Sequence, residues 1–101
     1  MKKVINKKMY NTETATEVAS YDNGYGCDDF YHVGEELYLK KTGEFFLYGH
    51  GGAMTDYSEP CGNGWSGGSS IIPMTENQAK EWVLNHCDVD TYVTLFGEVE
   101  E

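Results

Sequence analysis

Three cysteines (Cys27, Cys61 and Cys87) and three histidines (His32, His50 and His86) carry the most reactive side-chain chemistry in this chain. Zinc takes thiolate and imidazole readily, but a structural site usually draws two ligands from one tight turn, as in Cys-x-x-Cys. No such pair occurs. Cys27 and His32 stand apart, His86 and Cys87 are adjacent, and His50 and Cys61 flank a glycine-rich stretch. A small metal-binding protein built on these Cys and His residues, with a structural zinc, is therefore a secondary reading, and no cofactor is expected. The odd number and wide spacing of the cysteines make a poor disulfide framework, so reduced thiols are expected.

A cysteine nucleophile needs an electropositive setting to hold its thiolate. Cys61 has His50 or His86 as a candidate base, yet Asp56 and Glu59 stand close to it in sequence, and neighbouring carboxylates raise a thiol pKa. No enzymatic activity is expected. Asp28-Asp29 falls in a loop but lacks the regular oxygen spacing of a calcium site. Glu35 and Glu36 point to opposite faces if they lie on a strand, which makes them a poor acid/base pair. Gly49-His50-Gly51-Gly52 follows a predicted strand, but no Gly-Lys-Ser/Thr follows it. Nucleotide binding is excluded on that ground.

Charge is the stronger signal. There are 17 carboxylates against seven lysines and no arginine, for a net charge of −10. Four lysines (Lys2, Lys3, Lys7 and Lys8) precede Met9, so only Lys40, Lys41 and Lys80 oppose the acids that follow. Such a field repels nucleic acid and anionic membrane and attracts basic protein surfaces. The N-terminal lysines read as edge-strand protection and solubility. No apolar run approaches the ~20 residues of a membrane helix. The basic N-terminus is not followed by a signal-peptide core, and a cytoplasmic location is expected.

The elements that position these groups predict one α+β domain over residues 1–101. Val4-Ile5 and Met9-Tyr10 flank a polar turn and predict a short hairpin. Ala15, Val18 and Ala19 recur at i, i+3 and i+4, predicting an N-terminal helix over about 12–21 with Glu13 and Glu17 on its polar side. Asp22-Asn23-Gly24 would end it. Alternation around Leu37 and Leu39, the Thr42-Gly43 turn and Glu44–Tyr48 predict a central hairpin over about 30–48 in a small antiparallel sheet. Seven glycines within 49–70 predict a long Gly-rich loop carrying Tyr57 and Trp65. Ile71-Ile72 predicts a last short strand stopped by Pro73. Thr75–Gln78 fits a capping box, with Ala79, Trp82, Val83 and His86 on one face of the helix that follows. On that face His86 reads as a core histidine. A final helix starts near Asp88 and stops at Gly97.

The segments Lys7–Ala15, Glu36–Gly52 and Ile71–Trp82 resemble a family of small acidic proteins carried by phages and mobile elements of Gram-positive bacteria. Some of these proteins look like anti-CRISPR proteins. The similarity runs over roughly residues 4–97 and brings no catalytic signature; the cysteines are not part of its pattern. It implies a non-enzymatic inhibitor that binds a basic surface of a CRISPR effector nuclease in the bacterial host and blocks DNA binding or cleavage. The alternative is an anti-restriction DNA mimic or another mobile-element accessory protein. On either reading the expected partner-binding residues are Glu13, Glu17, Asp22, Asp28, Asp29, Glu35 and Glu36, with Tyr57 and Trp65 as aromatic anchors.

Overall fold

Asn6 and Lys7 both carry positive φ (52° and 67°), the backbone of a two-residue hairpin turn. They join β1 (Lys2–Ile5) to β2 (Lys8–Asn11), the short hairpin expected at the N-terminus. The computed structural model describes residues 1–26, 29–62 and 64–97. Cys27, Asp28 and the acidic tail Glu98–Glu101 lie outside the described residues, and with them the expectation that Asp28 binds a partner.

The central sheet is antiparallel, in the order β3-β4-β5-β8, and is built from β3 (Thr16–Asp22), β4 (Val33–Leu39), β5 (Phe45–Gly51) and β8 (Gly68–Met74). Between them β6 (Glu59–Cys61) and β7 (Gly64–Ser66) form a small separate hairpin. The β4–β5 hairpin is the expected central one. Gly43 supplies its turn with φ 91°, where a Cβ would be strained.

The expected N-terminal helix over 12–21 is not present: these residues form a turn followed by β3. Asn11 is the reason for the turn, because its side chain accepts from the Glu13 N–H at 2.9 Å and its carbonyl from Ala15 N–H at 3.1 Å. The helical spacing of Ala15, Val18 and Ala19 has a different origin. The β3–β4 register shifts between Glu17 and Ala19, a β-bulge that breaks the period of two. Val18 and Ala19 therefore both pack on the core, although they are consecutive in a strand.

The 49–70 stretch is also more ordered than a long loop. It contains the end of β5, the β6–β7 hairpin and the start of β8, which leaves Gly52–Ser58 as the longer connection. Pro73 does not stop the last strand. It lies within β8, opposite Phe46, and β8 is an edge strand that tolerates a missing N–H.

α1 (Glu76–His86) begins at the expected capping box: Thr75 Oγ1 accepts from the Gln78 N–H, and Gln78 Oε1 from the Thr75 N–H. α2 (Val89–Phe96) is capped by Asp88 and ends at Gly97. The two helices cover one face of the sheet, where Leu37 and Leu47 meet Ala79, Trp82 and Val83. The β1–β2 hairpin covers part of the other face, where Tyr10 packs edge-on against Phe46 beside Ile71. Three layers result, and alternation along β4 and β5 sends Leu37 and Leu47 to the helix side and Phe46 to the hairpin side. Among the described residues no helix is long and apolar enough to cross a membrane.

Candidate functional site

The two ends of the sheet differ in charge. At the β4–β5 turn, Lys8 and Lys40 both reach Glu44, at 3.1 and 3.5 Å, and Lys40 lies over the Tyr10 ring. The Lys8 ammonium, and to a lesser extent Thr42 and Lys40, hold the Glu44 carboxyl below the usual glutamate range. Glu13 and Glu17 belong to this lysine end. Glu17 pairs with Tyr38, and Thr14 and Ala15, next to Glu13, line a surface hollow together with Lys40 and Lys41.

The opposite end, where β3 and β5 finish and β4 begins, gathers Asp22, Asp29, Asp56 and Glu59 without a lysine partner among the described residues. Two folding details build it. Asp22 and Asn23 accept backbone N–H groups from Gly24 and Tyr25, at 2.8 and 3.3 Å, turning the chain out of β3. Asp29 Oδ1 accepts the Tyr31 N–H at 2.8 Å and turns the chain back toward β4.

That second turn places one wall of an open groove of about 520 Å³, formed by Asp29, Phe30 and His32. Trp65 and Ser66 of the β6–β7 hairpin, His50 and the glycines around it complete the lining. Phe30 and Trp65 are 67% and 62% exposed, whereas His32 is only 6% exposed. His32 Nδ1 lies 2.8 Å from the Tyr25 carbonyl and 3.8 Å from Asp22 Oδ2. A carbonyl only accepts, so Nδ1 carries a proton, and in the neutral imidazole Nε2 is then an acceptor. The His32 and His50 rings are 5.7 Å apart. His50 Nε2 contacts Glu36 Oε1 at 3.4 Å, and Oε2 of Glu36 is enclosed with no partner among the described residues. The His50 ring sits over Gly34, where any Cβ would collide with it.

No protein-family model, curated protein or solved structure matches this chain.

The expected site residues therefore divide. Asp29 and Trp65 meet in the groove, Asp22 supports its His32, and Glu36 supports its His50. Glu13 and Glu17 are remote from it. Glu35 and Tyr57 lie on the helix-covered face and bond to each other, so Tyr57 serves the interior and not a loose aromatic loop. Burial, then the Glu35 hydrogen bond and charge, push the Tyr57 phenol well above its usual range. Nothing in the spacing of Phe30 marks it in the sequence; only the turn at Asp29 brings it into the same groove as Trp65.

Among the described residues no group of three His, Cys, Asp or Glu side chains is arranged to hold a metal ion. His86 is exposed, not a core residue, and stacks on Tyr21 with ring centroids 4.1 Å apart. Cys61 is exposed on β6, and Cys87 caps the end of α1, where burial and then Asp88 push its thiol up.

Proposed function

We propose that this chain is an acidic, non-enzymatic inhibitor that docks the acid end of its sheet on a basic, nucleic-acid-handling protein. The resemblance of its segments to anti-CRISPR-like proteins makes a CRISPR effector nuclease the proposed partner. One observation carries the reading: the charges are segregated. Lysines pair with Glu44 at one end, while Asp22, Asp29, Asp56 and Glu59 stand without lysine partners at the other, beside two exposed aromatics. Evenly mixed charge serves solubility alone, whereas a one-sided field steers a basic surface to one face and makes the association salt-dependent. Exposed aromatics next to that field supply contact area that charge does not.

The test is a pull-down of purified effector nucleases, with and without guide RNA and target DNA, against the wild type and an Asp22→Lys/Asp29→Lys double variant. Salt-sensitive capture weakened about tenfold or more by the double variant is expected. Equal capture by both proteins, or no capture of any effector, overturns the proposal. Capture of a restriction nuclease in its place transfers the reading to an anti-restriction protein.

A further inference from the structure

We infer that the groove between Phe30 and Trp65 receives an arginine side chain inserted by a basic protein partner. The inference rests on the reading above and specifies what that partner contributes.

The groove matches a guanidinium in three respects. Its lining includes two exposed aromatic rings, and an arginine stacks on such rings through the attraction of its charge to the ring face. The only formally charged side chain among its lining residues is Asp29. Asp29 Oδ1 is fixed by the Tyr31 N–H, and Oδ2 has no partner among the described residues. Finally, two imidazoles stand in the lining. Tyr25 fixes a proton on His32 Nδ1, so in the neutral ring Nε2 is an acceptor, and it makes no hydrogen bond among the described residues. His50 turns Nε2 to Glu36, a carboxylate that only accepts, so in the neutral ring its Nδ1 is a second acceptor. A guanidinium brings five N–H donors in one plane and no acceptor, the complement of this set. An ammonium satisfies the charge but offers no plane to stack. An anion would meet Asp29 with no lysine or arginine in the lining to offset it.

The tripeptide Gly-Arg-Gly, with its ends blocked, tests this against the lysine and citrulline versions by two-dimensional NMR of the full chain. Trp65 and Trp82 provide two indole signals, one at the groove and one on α1, buried against the sheet, as an internal reference. A saturable shift of the Trp65 signal with the arginine peptide is expected, with Trp82 unmoved. Lysine should bind several-fold more weakly, about the difference between a stacked fork and a point charge. Trp65→Ser and Asp29→Asn should each weaken the arginine peptide by about threefold to tenfold. Trp65 is exposed on a small separate hairpin, so an unchanged melting curve should accompany its loss of binding. Equal shifts with the citrulline peptide, or none with arginine, overturn the inference. If arginine binds yet no nuclease is captured, the inhibitor reading fails and the groove stands. If a nuclease is captured equally by Trp65→Ser and wild type, the groove assignment fails and the acidic docking reading stands.

Discussion

The indole N–H of Trp82 donates to Glu35 Oε1 at 3.0 Å, while the Tyr57 hydroxyl donates to Oε2 of the same carboxylate. One side chain on β4 thus ties down α1 and the Gly52–Ser58 connection together. Gly49 makes this possible, since a Cβ there would occupy the place of the Tyr57 ring. Replacing Glu35 with alanine strands two donors in a half-buried setting. A loss of about 2 kcal/mol of stability is expected in urea unfolding. Glu35→Gln, which keeps an acceptor, should cost less, and capture of a basic partner should survive it because Glu35 faces the helices.

Tyr57 sets an alkaline limit. Its phenol is held above the ordinary tyrosine value in the folded chain, mainly by burial and then by Glu35. The unfolded chain therefore ionises this group first, at about pH 10, and binds fewer protons than the folded one above that pH. The stability linked to it is present below pH 10 and is lost as pH rises further. Tyr57→Phe should flatten that alkaline decline in a series of denaturation curves, while lowering stability at neutral pH. An unchanged alkaline slope would show that another group controls it.

Glu44 acts in the opposite direction. Lys8 first, with Thr42 and Lys40, lowers its folded pKa, so its contribution is present above the unfolded glutamate range. It is lost as pH falls through the lowered folded value. Glu44→Gln should therefore reduce the steepness of acid unfolding, and high salt should shrink the difference between the two proteins.

Gly34→Ala should disturb the groove from beneath. The new methyl enters the space of the His50 imidazole, and the ring must swing away from Glu36. A shift of the His50 ring proton signals and loss of arginine-peptide binding are expected, with Trp82 resonances unchanged. Leu37→Ala, by contrast, empties a fully buried position under α1. It should cost about 2–5 kcal/mol without changing peptide affinity in the fraction that remains folded.

The legible parts of the fold were those in which local chemistry decides. Thr75 with Gln78, Asp88 with Gly97, the Thr42-Gly43 turn and the Asn6-Lys7 turn are set by neighbours in sequence, and all are found. The first helix was misread because a bulge at Val18 imitates helical periodicity, and a bulge is specified by the partner strand. The glycine-rich stretch hid four strand segments for a related reason. Its glycines permit close approach to Tyr57, Thr55 and Phe30, contacts that exist only after the chain has folded. The site was legible in part. Asp22, Asp29, Glu36 and Trp65 come together or support the groove, but their grouping depends on which end of the sheet each occupies, and charge counting carries no such direction.

Pro73 has one more consequence. The sheet has two borders, β3 and β8, and a proline in β8 removes one backbone donor from the row that an incoming strand would need. The β3 border carries Glu17 and Asp22, both exposed, so two copies meeting there would set like charges against each other. Neither border invites another copy of the chain, and stacking copies into a fibre would require both. Extension of the central sheet from copy to copy is therefore opposed at each of its borders, by a missing donor at one and by like charge at the other.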